Sequence, residues 1–381
     1  MKNYTYSKIL LPLSKLFFAL IFAAGMTACD SVIYDYEEDC DPDIDNPNPR
    51  PDRPKPDTPN DPDPDPEPEP DPTAYYVEYV FDMNMQFVDA FTEKVNSVDL
   101  YVFSKSGAFI KKYHEDGAAL SDKNYRMNVT DLPAGSYEMI AWCGLTNNDG
   151  DFTVPAESTI TQRHQIACTM ATLNDGDLLY QKKNLKALFH GKIENATYTT
   201  DPGDQVCTVY LTKNTNNINL TLQHKDGLEF DKDRFNVTLT DNNGYMRYDN
   251  GVPDSNDYVE YRPYRTAIGT ATSGNTSRAT GTTTGNYLQV ELSTARLMKD
   301  HNPVITVTDT ETGKDIFSIP IIKWALQLRS SNYKDMDDQE FLDREDNYNL
   351  MLWLDNDEEG WFGAEINILD WHVVDDSEAI K

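Results

Sequence analysis

Apolar residues alternate with polar ones along most of the chain after residue 73, and few segments show the spacing of an amphipathic helix. Such alternation is typical of β-strands with one buried face. It predicts strands at Val77–Phe81, Val98–Val102, Phe109–Ile110, Glu138–Trp142, Val206–Leu211, Ile218–Leu222, Phe235–Leu239, Tyr258–Tyr264, Tyr287–Leu292, Val304–Val307, Ile316–Pro320, Tyr348–Leu354 and Glu365–Val374. Many short strands separated by turn signals predict an all-β fold with minor helix, arranged as two β-sandwich domains in series, 74–225 and 226–381.

Turn residues and a few helical stretches fill the gaps between these strands. Pro133 and Gly135 predict a bulged hairpin turn between Asp131 and Tyr137, with Gly135 at positive φ. Asn243-Gly244 predicts a second hairpin. A helix is expected near Gly176–His190, helical turns between Ile321 and Arg344, and a loop over Thr270–Thr284.

The chain begins with the pattern of an export signal. Lysines precede a short apolar run at 16–24, and this run is too short to span a bilayer, which needs about 20 helical residues. The tetrapeptide Met26-Thr27-Ala28-Cys29 follows, with small residues before the cysteine. We expect cleavage between Ala28 and Cys29, removal of residues 1–28, and a lipidated Cys29 at the mature N-terminus. The alternative is an ordinary signal peptide with a chance cysteine at this position.

An acidic, proline-rich segment separates Cys29 from the first predicted strand. Residues 41–72 contain 13 of the 21 prolines, and their last part repeats Asp-Pro and Glu-Pro. Proline has no backbone N–H to donate, and neighbouring carboxylates repel, so residues 29–73 are predicted to form an extended tether. At about 3.1 Å per residue the tether could reach up to roughly 100 Å. A proline-rich ligand for a partner protein is the alternative.

The net charge bears on the class of partner, and the cysteines bear on metal binding and disulfides. The formal net charge of −31 argues against nucleic acid, whose binding requires a basic surface that neutralises phosphates. Cys40, Cys143, Cys168 and Cys207 lack the spacing of metal ligands. Export permits disulfides, but the sequence assigns no pairing among the four. Cys143 and Cys207 are expected to be small buried thiols within strands.

Catalytic and metal-binding motifs are missing from the sequence. The histidines form no HExxH motif, and neither a GxSxG elbow nor a phosphate-binding GxxxxGK[ST] loop occurs. Asp355–Gly360 resembles the start of a calcium loop, but Ile366 occupies the twelfth position, where a bidentate Glu is required. A charged turn is therefore expected there, with calcium binding left open. The sequence predicts no enzyme, no cofactor and no metal site.

Four segments stand out in their order along the chain. They are the acidic segment that follows the predicted lipidated cysteine, the stretch from the first to the second strand, the Leu-Pro-x-Gly-x-Tyr turn with its return strand, and a Tyr-Arg-Pro-Tyr motif: Cys29–Asp35, Phe81–Phe103, Leu132–Trp142 and Tyr261–Tyr264. Together they resemble the lipoprotein anchor subunits of Bacteroides-type (type V) fimbriae. The resemblance covers nearly the whole mature chain. It rests on the combination of these segments, since the Leu-Pro-x-Gly-x-Tyr turn also recurs in other sandwiches.

This resemblance implies a fold, a location and a set of partners. The fold would be two transthyretin-like β-sandwiches, and lipid on Cys29 would hold the surface-exposed protein to the outer membrane. The protein would form the base of a fimbrium through β-strand exchange with shaft subunits. The last predicted strand matches the family's terminal strand in position, which gives the candidate subunit-contact residues Ile366, Ile368, Asp370, His372 and Val374. The alternative is that this strand merely completes its own sheet.

A surface glycan-binding lipoprotein of a polysaccharide uptake system is a competing interpretation. It would share the lipid, the tether and the serial sandwiches, and it would display some of the five tryptophans in a row for stacking on sugars. Tryptophans in strands of this pattern are more often core or interface residues. A secreted enzyme would require clustered polar groups in a pocket, which the sequence does not indicate. A glycan or host ligand stays open as a further partner.

Overall fold

The structure, a computed structural model, describes residues 73–146, 149–224, 229–273, 283–354, 361–368 and 371–375. Most of these residues lie in strands, which confirms the all-β prediction. The strands are β1 (Ala74–Val80), β2 (Ser97–Ser104), β3 (Phe109–Asp116), β4 (Met127–Asn128), β5 (Gly135–Cys143), β6 (Phe152–Thr153), β7 (Cys168–Met170), β8 (Leu173–Asp175), β9 (Leu178–Gln181), β10 (Phe189–Tyr198), β11 (Asp204–Lys213), β12 (Thr215–His224), β13 (Phe235–Asp241), β14 (Tyr245–Met246), β15 (Val259–Tyr261), β16 (Arg265–Ser273), β17 (Thr283–Ala295), β18 (Val304–Asp309), β19 (Asp315–Pro320), β20 (Asn347–Leu354), β21 (Trp361–Ile368) and β22 (Trp371–Asp375). The helices are α1 (Phe91–Lys94), α2 (Ile321–Leu328) and α3 (Asp338–Arg344).

A seven-stranded sheet forms the first part of the molecule, in the order β3-β2-β5-β10-β11-β1-β4. Its strands pair antiparallel except for β1 and β11, which run parallel. The sheet encloses a core that includes Val77, Leu100, Met139 and Val209, all fully buried. These side chains come from four of its strands, so their burial stabilises the sheet across most of its width.

Two six-stranded sheets make up the rest of the body. One has the order β16-β17-β12-β20-β21-β22, and the other has the order β19-β18-β13-β15-β9-β8. Alternate residues of both sheets, such as Leu220, Leu288, Leu239 and Ile305, are buried in one common core. The two sheets therefore pack face to face as a β-sandwich.

The seven-stranded sheet also contributes to the core of this sandwich. Nearly every residue of β2 and β5 is buried, because one face of each strand lines the first core and the other lines the second. Tyr101 and Trp142 belong to the second core, which also contains Met170 and Met246 of the small sheet β14-β7-β6. Strands buried on both faces need near-continuous apolar sequence, which both segments have.

Sheet membership does not follow the predicted division between residues 225 and 226. β12 precedes residue 225 but pairs with β17 and β20. β9 pairs with β15, and β7 pairs with β14. The exchange of strands between the two halves joins their cores, and the two-domain boundary stays a prediction.

Local structure near α2 and α3 agrees with the expected helical turns between Ile321 and Arg344. α3 is capped by Asp337, whose carboxylate accepts hydrogen bonds from the backbone N–H groups of Gln339 (2.9 Å) and Glu340 (3.4 Å). A carboxylate at this position satisfies amides that have no partner within the helix and complements the helix dipole. Phe341 and Leu342 bury the inner face of α3 in the core.

Three other local predictions are wrong. Gly176–His190 is not a helix, because β9 within it forms a parallel pair with β15 and residues 182–188 have no regular structure. Both ends of the loop expected over Thr270–Thr284 are strand instead, since β16 continues to Ser273 and β17 starts at Thr283. The β-branched threonines there favour extended backbone. The predicted single strand Glu365–Val374 is two strands, β21 and β22, which pair antiparallel with each other.

Both predicted hairpin turns are connections of another kind. The Asp131–Tyr137 turn leads from β4 at one end of the seven-stranded sheet to β5 in its middle, and Gly135 does not have positive φ. The Tyr137 hydroxyl donates to the carbonyl of Pro133 (2.5 Å), which fixes the corner. Asn243-Gly244 links β13 to β14, which pairs with β7 instead of β13. The Asn243 side chain is fully buried and donates to the carbonyls of Ala295 and Arg296.

Candidate subunit-contact site

The candidate contact residues lie at one end of the β16–β22 sheet. Ile366 and Ile368 are in β21, and His372 and Val374 are in β22, whereas Asp370 lies outside the described residues. β21 pairs with β20 on one side and with β22 on the other. Among the residues that the structure describes, β22 is the terminal strand of this sheet. The segment thus extends its own sheet and also ends at an edge, and its role as a subunit contact stays a prediction.

The predicted anchoring residues, Ala28 and Cys29, lie outside the described residues, as does the tether apart from Thr73. The described chain starts beside β1. Thr73 donates from Oγ1 to the carbonyl of Asp201 (3.1 Å), and β1 then pairs with β11 over seven consecutive residue pairs, from Ala74–Asp204 to Val80–Tyr210. β11 continues through Asn214 directly into β12 of the sandwich. The strand that follows the predicted tether is therefore joined side by side to the strand that leads into the sandwich.

An arginine from the sandwich holds the loop that follows β1. The Arg344 guanidinium donates from Nη1 to the carbonyls of Asp82 (2.7 Å) and Asn84 (3.2 Å), and from Nε to Glu340 (2.8 Å). The guanidinium also lies 4.3 Å from the ring centroid of Phe87. Phe87 has a φ of 54°, in the left-handed region, where a non-glycine residue is held by its surroundings. Arg344 therefore links the end of α3 to the first loop.

A cavity of about 450 Å³ lies beside this contact, and its lining includes Met83, Met85, Phe189, Lys213 and residues 343–347. The carboxylate of Glu345 lines it and is almost fully buried. Oε1 accepts a hydrogen bond from the backbone N–H of Asn347 (2.9 Å), while Oε2 has no hydrogen-bond partner among the described residues. Burial raises the pKa of Glu345 from its usual 4.5 to about 7, with a contribution from the charge of Asp346. Removal of a carboxylate from water disfavours its charged form.

The side chains considered for other chemistry are mostly structural. Trp142 is fully buried and packs edge-on against His190 at 4.6 Å between ring centroids. Cys143 is a buried thiol in β5, as expected, and burial raises its pKa; Cys207 is a half-buried thiol in β11. Within the described ranges no group of three His, Cys, Asp or Glu side chains could hold a metal ion. The Asp355–Gly360 turn lies outside those ranges.

Sequence reasoning missed the contacts made by Arg344 and the burial of Glu345. An arginine at the end of a short acidic helix is commonplace, and its partners are backbone carbonyls about 260 residues away. No pattern along the chain marks such partners. In the part of the chain described here, no helix is both long and apolar enough to cross a bilayer.

Comparison with known proteins gives the family. The sequence profile of the fimbrillin-A associated anchor proteins Mfa1 and Mfa2 matches residues 65–377. The chain belongs to this family. Membership assigns the protein to a class of fimbrial anchors and adhesin-like surface proteins, which is not a class of enzymes, and implies a location at the cell surface or in the envelope.

Solved structures support the fold. A candidate adhesin from Bacteroides thetaiotaomicron is 30% identical, with a TM-score of 0.68 over 80% of this chain and 98% of that chain. A protein of the same organism described as a candidate polysaccharide-binding protein is 26% identical, with a TM-score of 0.66 over 80% of this chain and 99% of that one. The fimbrial anchor protein Mfa2 from Porphyromonas gingivalis is 16% identical, with a TM-score of 0.57 over 80% and 99%, and at this identity it supports the fold alone. No curated protein matches the sequence.

Proposed function

We propose that this protein is an outer-membrane lipoprotein that holds a fimbrium to the cell. The observation that carries the proposal is the match of residues 65–377 to a family of fimbrial anchor proteins, directly downstream of a candidate lipidation site at Cys29 and an acidic proline-rich tether. A single acyl chain binds a membrane only marginally, so stable retention requires more than one chain on the cysteine. The tether would give the folded body its reach beyond the membrane.

The path from the tether into the body suits a protein under tension. Pull from the membrane would enter at the start of β1, and pull transmitted by the sandwich would enter at the end of β11, which leads into β12. Because the two strands are parallel, these points lie at opposite ends of the pair. The pull would slide the strands along each other, so the hydrogen bonds of all seven residue pairs would share the load instead of breaking one after another.

Attachment to the shaft would use β-strand exchange. A strand at the end of a sheet has backbone N–H and C=O groups without partners on its outer side, and an extended segment of another subunit can pair with them. Backbone hydrogen bonds would supply the common part of the affinity, and pockets for alternate side chains would set the register. No catalytic residue or cofactor is needed for this function.

Replacement of Cys29 tests the proposal. Cys29→Ala should release both the protein and the fimbriae into the culture medium, because no other membrane attachment is proposed. Cys40→Ala, which removes the other cysteine that precedes the folded body, is the matched control and should leave both on the cells. Cell fractionation and electron microscopy of the two strains provide the measurement. Full membrane retention of the Cys29→Ala protein would contradict the proposal.

Glycan binding is a second candidate function, favoured by one surface groove. The groove has a volume of about 420 Å³. It combines the partly exposed ring of Tyr245 with the polar side chains of Thr169, Ser255, Asn256 and Asp257. Aromatic rings next to hydroxyl, amide and carboxylate groups suit the apolar faces and hydroxyls of sugars. Glycan-array binding that Tyr245→Ala abolishes would favour this function over anchoring.

A further inference from the structure

The β16 strand is the most open long edge in the described part of the molecule. It ends the sheet β16-β17-β12-β20-β21-β22 and pairs on one side only, with β17. Alternate residues of an antiparallel edge strand direct their backbone N–H and C=O groups away from the sheet. The nine residues of β16 contain one charge, Arg265, which pairs with Glu291 of β17 at 2.5 Å. Their sequence, Arg-Thr-Ala-Ile-Gly-Thr-Ala-Thr-Ser, has no proline.

The other described edges carry features that discourage pairing with another chain. Charged side chains, prolines, bulges and short length are the devices that natural sheets use for this purpose. β3 contains four acidic or basic residues and a bulge at Ile110. β19 contains a charge, a terminal proline and a bulge at Ile316. β22 has five residues with a histidine and an aspartate, and β4 and β8 have two and three residues. β16 has none of these devices after its first residue.

Ile268 shows that the core is uncovered beside this edge. Ile268 lies opposite Leu288 in the register of β16 and β17, so both side chains are on the face of the sheet that points to the core. Leu288 is 0% exposed, whereas Ile268 is 47% exposed. The facing sheet thus covers β17 but does not extend over β16. An apolar side chain placed next to Ile268 would complete the core at this point.

The opposite face of β16 is already occupied. A Cβ atom added to Gly269 would lie 2.2 Å from the ring of Tyr287, which is its cross-strand neighbour. The tyrosine ring therefore packs directly over the glycine backbone, as aromatic residues do when they cover an edge glycine. An incoming strand would meet the Tyr287 ring on one face and, on the other face, the exposed side chain of Ile268 between Thr266 and Thr270.

The geometry points to β16 as the acceptor edge for an extended segment of a fimbrial shaft subunit, which adds as a further strand with alternate apolar side chains packed against Ile268. The inference rests on the proposed function and assigns it a place in the fold. A second copy of this chain is the less favourable occupant, because the net charge of −31 makes two copies repel each other. An extended segment fits both the unpaired backbone groups of β16 and the exposed side chain of Ile268. Only extended backbone can pair with the N–H and C=O groups along the whole edge.

A pair of matched variants tests the assignment. Ile268→Lys places a charge in the proposed contact, and Ile110→Lys makes the same change at a similarly exposed isoleucine (43%) of the β3 edge. The full mature chain is tested for binding to fimbriae sheared from the parent cells and purified. Ile268→Lys should weaken binding at least about tenfold, since loss of an apolar anchor and burial of a charge act together. Ile110→Lys should bind as the wild type does. Equal unfolding midpoints of the two variants verify that both are folded.

Hydrogen exchange gives a readout that needs no variant. On addition of the sheared fimbriae, about half of the amides in residues 265–273 should exchange more slowly, because alternate N–H groups acquire partners. Protection at β22 with none at β16, or equal loss of binding in both lysine variants, would overturn the assignment to β16 while leaving the anchor function intact. Self-association of the wild-type chain through β16, lost in Ile268→Lys, would overturn the choice of a shaft subunit as occupant. Failure of the wild-type chain to bind fimbriae at all would instead contradict the proposed function.

Discussion

The buried carboxylate of Glu345 makes the stability of the body depend on pH in a predictable direction. Oε2 has no hydrogen-bond partner among the described residues, and Oε1 accepts a hydrogen bond from the backbone N–H of Asn347. The pKa of Glu345 rises from 4.5 to about 7, first because of burial and also because of the nearby charge of Asp346, while Lys213 opposes the rise. Glu345→Gln removes the ionisation and keeps the shape of the side chain.

The magnitude follows from the two pKa values. The unfolded chain releases the Glu345 proton near pH 4.5, and the folded chain releases it near pH 7. Between these values the folded state binds more protons than the unfolded state, so its stability falls as the pH rises. A difference of one in pKa is worth about 1.4 kcal/mol. The two pKa values of Glu345, 4.5 and about 7, therefore correspond to a loss of about 3 kcal/mol in the free energy of unfolding. The loss is complete above pH 7, and below pH 4.5 it is absent.

Urea unfolding of the mature chain and its Glu345→Gln variant at several pH values provides the assay. The free energy of unfolding of the variant minus that of the wild type should increase by about 3 kcal/mol between pH 4.5 and pH 8. The same exchange at Glu311, whose side chain is 71% exposed, is the control for the loss of a surface carboxylate. A pH-independent difference for Glu345→Gln would refute the assignment of a buried, sparsely bonded carboxylate.

Three further substitutions test the packing of the body. Gly144 has a φ of +88°, and a Cβ atom there would lie 2.2 Å from the carbonyl oxygen of Ala187, so Gly144→Ala should lower the free energy of unfolding by about 3 kcal/mol or more. Gly117 also has positive φ but open space around it, so Gly117→Ala should lower the free energy of unfolding by only about 1 kcal/mol. Equal losses for the two alanine variants in urea unfolding would contradict the steric clash with Ala187 as the cause. Arg344→Ala removes the hydrogen bond to the Asp82 carbonyl and its neighbouring contacts, and should cost about 2 kcal/mol and speed amide exchange in residues 81–90. Unchanged exchange there would show that Arg344 does not hold this loop.

The alternation of apolar residues was sufficient to predict most of the fold. In β12, Ile218, Leu220 and Leu222 are buried while the residues between them are half-buried, as period-two patterning requires. In β2 and β5 the same reasoning finds the strands but not their second buried face, because that face packs against segments from distant parts of the sequence. The interlocked cores of the two halves follow from those distant contacts and not from any local pattern.

One error arises from a pairing partner that the sequence does not display. The leucines of Gly176–His190 have helix-like spacing, but parallel pairing with Val259–Tyr261 outweighs local preference for a short segment. In the run Glu365–Val374 the apolar positions change phase between Ile368 and Leu369, so the sequence held a sign of the division into β21 and β22 that the single-strand prediction overlooked. For the site, the sequence indicates Cys29 through local chemistry, whereas the open core beside Ile268 depends on where the facing sheet ends.

Mass spectrometry of the amino-terminal peptide of protein purified from cell membranes tests membrane anchoring most directly. The proposed function predicts a mature chain that begins at Cys29 and carries the mass of more than one fatty acyl chain. A mature chain that begins at another residue, or an unmodified thiol on Cys29, would contradict lipid anchoring and with it the proposal that this protein fastens a fimbrium to the outer membrane.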